Sequence, residues 1–181
     1  MKKVFKQLFF SVMCMMALAT IASCDKDSNS TGSGTPGGGG ITPAGYVDLG
    51  LPSGTLWKNQ NETNPNDSYD FYTYDEAVQQ FGDQLPTKEQ FKELKENCTY
   101  VWDESARGCW FYGPNGNRIF LPAAGGRGCA GDVGGVGSTG LYWSATPFGS
   151  VHAWYLYFNS GEVDMNYNYR CFGLSVRLVQ D

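Results

Sequence analysis

The sequence has a single histidine, few charged side chains and no excess of positive charge. Charged residues make up 17% of its 181 residues, and 13 basic side chains stand against 18 acidic ones, a formal net charge of −5. One histidine excludes a metal site with two histidine ligands and any relay between histidines. Because no basic excess is present to neutralise phosphates, we expect no nucleic-acid partner. These absences argue against several kinds of catalysis and direct attention to contact surfaces.

Glycine and aromatic residues are abundant instead. The chain has 24 glycines, and tryptophan, tyrosine and phenylalanine together make up 15% of it. This composition is typical of turn-rich structure with large contact side chains rather than of a helical bundle. The length suits one domain with additional segments.

The N-terminus resembles a bacterial lipoprotein signal. Three lysines within the first six residues precede an apolar run at residues 8–21, which is too short for a membrane span. Residues 21–24 (IASC) resemble a lipobox, so we predict a signal peptide at residues 1–23 and a lipid anchor at Cys24. A plain signal peptide with an incidental cysteine is the alternative. Removing the signal takes away three lysines and leaves 158 residues with a net charge of −8.

Residues 24–45 are predicted to be a flexible tether between the lipid and a folded domain at residues 46–181. Most of the tether is serine, threonine, glycine and proline, which bury too little surface to offset the entropy of ordering. The charged stretch at residues 25–27 resembles the surface-display signal of lipoproteins in Bacteroidota-like bacteria. We therefore expect a protein that is lipid-anchored to the outer membrane, exposed at the cell surface and not membrane-spanning.

Two helices and a series of strands are predicted within the domain. Thr73 with Glu76, and Thr87 with Gln90, have the spacing of capping boxes, so a helix should begin after each threonine. A long glycine loop is predicted at residues 125–140. Strands are predicted at residues 99–102, 109–112, 118–121, 141–144, 153–158, 162–168 and 174–179. Two helices followed by a meandering sheet indicate the α+β class.

Five segments resemble, in order, the signatures of the Fibrobacter succinogenes major paralogous domain family. They are residues 46–57 (YVDLGLPSGTLW), 85–91 (LPTKEQF), 116–125 (GNRIFLPAAG), 142–147 (YWSATP) and 173–179 (GLSVRLV). The family resembles C-type-lectin-like and formylglycine-generating-enzyme-like folds, and its members are often secreted or lipid-anchored envelope proteins. The resemblance implies a C-type-lectin-like α+β fold, with two helices in the first half packed on a twisted antiparallel sheet with long loops. It implies a fold more firmly than a function.

The cysteines bear on whether the protein is an enzyme. Formylglycine-generating enzymes use a close pair of cysteines near the C-terminal end to hold copper, and here that region has Cys171 alone. Cys98, Cys109, Cys129 and Cys171 allow three disulfide pairings, and a buried Cys98 with the others free or partly paired is an open alternative. No catalytic constellation or metal-ligand spacing is visible. We therefore expect no enzyme activity, no metal and no cofactor, and an oxidase would require a second cysteine close to Cys171.

A hairpin at residues 153–168 is the most informative stretch. A two-residue turn at residues 160–161 would set three opposed pairs, Asn159 with Glu162, Tyr157 with Asp164, and Tyr155 with Asn166. One face is then predicted to join the core and comprises Trp154, Leu156, Phe158, Val163, Met165 and Tyr167. The other is predicted to be exposed and comprises Tyr155, Tyr157, Asn159, Glu162, Asp164, Asn166 and Asn168. A register slip of one residue would exchange the faces.

Eight side chains of this hairpin and its flanking loops are the candidate ligand contacts. They are His152, Tyr155, Tyr157, Asp164, Asn166, Tyr167, Tyr169 and Phe172. Tyrosine offers stiff contact area at low entropy cost, while asparagine and aspartate provide adaptable hydrogen bonds. The alternative is that tyrosine merely favours strands. We expect binding of an extracellular protein or glycan; a structural envelope module without a ligand is the competing hypothesis, and an oxidase related to formylglycine-generating enzymes a third.

The same segment resembles the variable proteins of diversity-generating retroelements. In those proteins, adenine-specific mutagenesis of asparagine-type codons yields every residue except Met, Trp, Gln, Lys and Glu. Residues 148–174 contain no lysine and no glutamine, and only Trp154, Glu162 and Met165 are of unreachable types. The resemblance implies that the C-terminal surface is diversified.

Overall fold

Eleven strands and two α-helices follow one another along residues 42–181, the part of the chain that the computed structural model describes. These residues belong to one compact unit. The predicted signal peptide, the lipidation site at Cys24 and nearly all of the predicted tether lie outside the described residues. No helix in the described part of the chain has the length and apolar character to cross a membrane.

Both predicted helices are present and begin where their capping boxes indicate. Helix α1 spans Tyr74–Phe81, and Thr73 and Glu76 exchange the hydrogen bonds of a capping box. Helix α2 spans Lys88–Asn97, with the equivalent exchange between Thr87 and Gln90. Since α2 continues past residue 90, the helices are not confined to the first half of the chain, which corrects that part of the prediction.

The strands form several small antiparallel sheets rather than the single sheet that was predicted. They are β1 Tyr46–Asp48, β2 Leu56–Lys58, β3 Thr99–Asp103, β4 Gly108–Tyr112, β5 Arg118–Pro122, β6 Gly126–Arg127, β7 Val133–Gly134, β8 Gly140–Phe148, β9 His152–Phe158, β10 Val163–Tyr169 and β11 Val179–Gln180. The sheet orders are β1-β2-β11, β3-β4-β5, β6-β7 and β8-β9-β10, in which β10 is an edge strand. The result is a mainly β structure with two helices, within the α+β class.

Two predicted segments differ from what is observed. The predicted glycine loop at residues 125–140 contains the short pair β6 and β7. The predicted strand at residues 174–179 is buried, but only β11 at its end belongs to a sheet, and Leu174 and Ser175 form isolated bridges to Tyr72 and Tyr142. The segment is extended and apolar as expected, yet its backbone pairs with several neighbours in turn and not with one strand.

The sheet β8-β9-β10 lies between two apolar clusters. On one face, Leu156, Phe158 and Val163 pack with Phe91 and Leu94 of α2. The second cluster contains side chains of the opposite face of the sheet, packed with α1 and the C-terminal segment; they include Trp143, Ala153, Tyr155, Tyr74, Ala77, Leu174 and Val176. Both faces are therefore covered near the middle of the sheet, and the exposed rings of Phe148, Tyr167 and Tyr169 lie toward the end with the turn between β8 and β9.

An aromatic platform as candidate functional site

The register of the C-terminal hairpin is confirmed. Tyr157 lies opposite Asp164, and Tyr155 lies opposite Asn166. The Asn159 side chain accepts hydrogen bonds from the backbone N–H groups of Gly161 and Glu162 at 2.7 and 3.0 Å. This side-chain bonding within the turn stabilises the two-residue connection and so sets the register of both strands.

The exposure predicted from that register is wrong at several positions. Tyr155 is only 7% exposed and packs edge-on against Trp143, and Tyr157 is half-buried, because the second apolar cluster covers their face. On the predicted core face, Phe158 is buried, but Tyr167 is 47% exposed and Trp154 half-exposed. Alternation correctly divided the hairpin into two faces, while the elements packed on each face decided which residues are buried.

Five rings form a contiguous surface, which we call the aromatic platform: Phe148, His152, Trp154, Tyr167 and Tyr169. The ring centroids of Phe148 and Tyr167 are 4.3 Å apart, as are those of His152 and Tyr169. Trp154 lies 5.3 Å from Phe148 and 5.7 Å from Tyr167. Three of these side chains, Phe148, Tyr167 and Tyr169, are among the most exposed large apolar residues of the described chain. An exposed cluster of aromatic rings of this kind commonly marks a site that binds a ligand or another macromolecule.

The platform is assembled from β8, β9, β10 and the turn that joins β8 to β9. A register shift between Trp143 and Pro147 precedes Phe148, which then pairs with His152. Gly149 has a φ of 66°, a conformation that glycine adopts without strain. Arg170 fastens this turn to the end of β10, because its side chain donates to the carbonyl oxygens of His152 and Gly149 at 3.3 Å. Arg170 is thus a positioning residue for the platform that the sequence pattern did not reveal.

Polar groups surround the rings. The ammonium nitrogen of Lys88 lies 3.1 Å from the ring centroid of Trp154, a cation–π contact. Among the described residues, no hydrogen-bond partner is found for the Tyr167 and Tyr169 hydroxyls or for the ring nitrogens of His152 and Trp154. The platform therefore presents apolar ring faces together with free polar groups at the ring edges.

Three of the eight predicted contacts belong to the platform, and the others lie elsewhere. His152, Tyr167 and Tyr169 are brought together on one side of the sheet. On the opposite side are Tyr155, Tyr157, Asp164 and Asn166, since directly opposed residues share a face. Phe148 and Trp154 were not among the predicted contacts. Alternation placed Trp154 on the predicted core face, and only its contacts with Phe148 and Tyr167 in the folded sheet show that it belongs to this surface.

Asp164 and Asn166 bond to the backbone of the edge strand. The side-chain oxygens of Asp164, Asn166 and Asn168 accept hydrogen bonds from the backbone N–H groups of the residues that follow them, Met165, Tyr167 and Tyr169, at 2.8–2.9 Å. These three N–H groups point away from β9, so three backbone donors on the outer edge of β10 are occupied. Natural sheets protect exposed edges in related ways. Asp164 also pairs with Lys95 at 2.9 Å, and that bond, followed by the one from Met165, lowers the pKa of its carboxyl group.

These side-chain hydrogen bonds along β10, which we call the side-chain ladder, predict a local change in amide hydrogen exchange. Asn166→Ala should speed exchange at the Tyr167 amide roughly five- to tenfold, because a hydrogen bond worth about 1 kcal/mol is lost. The Tyr169 amide should be unaffected, and Asn168→Ala should give the reverse pattern. Residue-resolved exchange measured by nuclear magnetic resonance checks this, and equal acceleration at both amides in each variant would contradict a residue-by-residue ladder.

Residues 106–179 match the family model of a domain of unknown function, DUF8237. The matched stretch begins in the turn before β4 and ends in β11, so it includes all five platform rings but neither helix. No curated protein and no solved structure matches the chain. The family match therefore covers the part of the chain that carries the platform and assigns it no activity.

The disulfide pairing, which the sequence left open, is between Cys129 and Cys171. Cys98 and Cys109 are buried free thiols, and burial raises the pKa of each to about 11. Cys129 thus brings a second sulfur to Cys171, as the oxidase hypothesis required, but the two are joined as a disulfide. Within residues 42–181 no group of three or more His, Cys, Asp or Glu side chains is arranged to hold a metal ion.

The eighth predicted contact, Phe172, lies beside that disulfide and not on the platform. Its half-buried ring packs on the second apolar cluster. It also lines an open cavity of about 420 Å³ together with Cys129 and Leu141. A second cavity of similar size adjoins the platform and is lined by Tyr169, Arg170 and Cys171. The disulfide therefore separates two surface depressions, of which the second is continuous with the platform through Tyr169.

Proposed function

We propose that this chain is a lipid-anchored surface protein whose domain binds an extracellular ligand, a protein or a glycan, through the aromatic platform. The observation that carries this proposal is the exposure of the rings. Phe148, Tyr167 and Tyr169 are 40–53% exposed. Phe148 and Tyr167 nevertheless contact each other and Trp154, and Tyr169 contacts His152, at ring-centroid distances of 4.3–5.7 Å. The apolar surface of these clustered rings is removed from water only when a partner covers it, so their exposure favours a binding role.

The chemistry of the platform suits recognition. Tyrosine and tryptophan combine large apolar area with a polar edge, and they lose little rotamer entropy on binding. Binding energy at interfaces is often concentrated in a few such side chains. The hydrogen bonds of Arg170 to the turn at residues 149–151 hold the platform in place before a ligand arrives, which reduces the ordering cost of binding.

The anchoring and fold parts of the proposal rest on the sequence. Cys24 would carry the lipid, and residues 24–45 would hold the domain away from the outer membrane. We further propose a C-type-lectin-like fold and membership of the Fibrobacter succinogenes major paralogous domain family. Support for the fold comes from the α+β class and from the position of two signature segments, since residues 85–91 enter α2 and residues 173–179 run through the buried centre.

A tyrosine-dependent ligand screen tests the binding proposal. Tyr167→Ala should lower affinity at least tenfold for whatever protein or glycan the full chain retains on arrays of extracellular proteins and glycans, because a central ring of the platform is lost. Tyr100→Ala is the matched control, since Tyr100 is 43% exposed on β3 and lies outside the platform.

The competing hypothesis of a structural envelope module predicts no ligand that depends on Tyr167. Retention that is equal in wild type, Tyr167→Ala and Tyr100→Ala would favour that module and contradict the proposal. Catalysis is the less favoured class, because Cys171 is engaged with Cys129 as a disulfide and the other two described cysteines are buried.

We also propose that a retroelement diversifies this surface. Four of the five platform residues, Phe148, His152, Tyr167 and Tyr169, are of types that adenine-specific mutagenesis reaches, and Trp154 is the exception. The decisive observation is in the DNA: a near-copy of the 3′ coding end should lie beside a reverse transcriptase gene. Absence of such a template repeat from a complete genome would eliminate this part of the proposal and leave the binding proposal unaffected.

A further inference from the structure

One flank of helix α2 carries a row of lysines next to the platform. Lys88 contacts the ring of Trp154, and Lys95 pairs with Asp164 of β10. Helical periodicity places Lys92, an exposed residue, on the same flank between them. Phe91 and Leu94 of the same helix face the core, so the lysine row borders the face of the sheet that carries the platform.

The lysine row is positively charged, whereas the domain as a whole is acidic. Residues 42–181 contain nine basic and 16 acidic side chains, and three of the four lysines in that range are on α2. Among the described residues, Lys88 and Lys92 have no carboxylate within ion-pair distance. On the other flank of the helix, the Glu93 carboxylate is occupied by the backbone N–H and hydroxyl group of Ser53. Lys88 and Lys92 are therefore two cations outside any of these ion pairs, near the margin of the aromatic platform.

We propose that the platform and the lysine row together bind a negatively charged polysaccharide, with its sugar rings on Tyr167 and Tyr169 and its acidic groups toward Lys88 and Lys92. This inference rests on the proposed binding function and adds the chemical class of the ligand. The apolar faces of sugar rings pack on aromatic rings, and sugar hydroxyls pair with polar groups such as the free edges of Tyr167 and Tyr169. Carboxylate or sulfate groups complement the lysines.

The edge of β10 favours a polysaccharide over an extended peptide. A peptide commonly binds a sheet by adding a strand to an exposed edge, where it uses the outward backbone N–H groups. At β10 the backbone N–H groups of Met165, Tyr167 and Tyr169 already donate to the side-chain oxygen of the residue before each of them. Recognition at this site therefore uses ring faces and side-chain charges rather than backbone pairing.

Matched polymers test the inference with the full chain. We expect dextran sulfate to bind at least tenfold more tightly than dextran, and polygalacturonate more tightly than its methyl ester, in biolayer interferometry at about 0.1 M salt. The double variant Lys88→Gln/Lys92→Gln should lose about tenfold in affinity for the acidic polymers, whereas Lys58→Gln should not change it. Tyr167→Ala should also lose at least tenfold, and poly-glutamate should bind weakly, because it offers charge without sugar rings.

Several outcomes would overturn the inference. Equal binding of dextran and dextran sulfate, or of poly-glutamate and the acidic polysaccharides, would remove the combined role of rings and charge. Binding that is unchanged in both the lysine and the tyrosine variants would place the polysaccharide elsewhere. If no acidic polysaccharide binds while another ligand shows Tyr167 dependence in the array screen, the ligand class is wrong and the proposed binding function stands. If no acidic polysaccharide binds and no ligand in the array screen depends on Tyr167, both the polysaccharide inference and the proposed binding function are wrong.

Discussion

Replacing Arg177 with methionine is expected to lower the free energy of unfolding by about 3 kcal/mol. Arg177 is 1% exposed, and its guanidinium group donates to the Asn61 side chain and to the backbone carbonyl oxygens of Lys58 and Phe120 at 2.7–2.9 Å. Methionine has similar volume but no donor, so three acceptors lose their partner at about 1 kcal/mol each. The loss should appear as a lower midpoint of urea unfolding with an unchanged slope.

The physical basis is that Arg177 joins segments that are distant in sequence. Lys58 ends β2, Phe120 lies in β5, and Asn61 follows β2, so one side chain connects two sheets. Burial lowers the pKa of the guanidinium to about 10, which leaves it protonated at neutral pH. The exposed Arg107 provides the control, and Arg107→Met should change the free energy of unfolding by less than about 0.5 kcal/mol. Equal or greater stability of Arg177→Met would show that the cost of burying the charge exceeds the value of its hydrogen bonds.

Removing the Cys129–Cys171 disulfide is expected to lower the free energy of unfolding by about 4 kcal/mol. The bond closes a loop with a sequence separation of 42, and cross-linking over that length reduces the entropy of the unfolded chain by roughly this amount. It joins the β6–β7 region to the segment just after β10, close to Tyr169 of the platform. The double variant Cys129→Ser/Cys171→Ser should therefore unfold at clearly lower urea concentration than the wild type.

A reducing agent provides the control for this second prediction. Dithiothreitol should destabilise the wild type by about as much as the double substitution does, and it should have no further effect on the double variant. The buried thiols Cys98 and Cys109 should be unchanged by this treatment, since neither takes part in a disulfide. Wild-type stability that is insensitive to reductant would contradict the pairing, and destabilisation of the double variant by reductant would point to another disulfide.

The candidate site was only partly predictable from the sequence. The prediction grouped eight residues on the hairpin and its flanks, and three of them, His152, Tyr167 and Tyr169, lie together on the platform. Tyr155 is buried because Trp143 and the second apolar cluster cover it. Lys88 reaches Trp154 from a helix far away in sequence, and nothing local to the hairpin indicates this contact.

The sequence by itself determined the features that depend on neighbouring residues. The capping boxes at Thr73 and Thr87 start both helices, and the turn at residues 160–161 sets the hairpin register, because their hydrogen bonds join groups no more than a few residues apart. The tertiary structure decided which hairpin face is covered and which cysteine pairs with Cys171. Both depend on segments many residues away, as in the Lys95–Asp164 pair with its separation of 69. Burial is a property of what packs against a residue, so alternation predicts which side chains share a face but not whether that face is exposed.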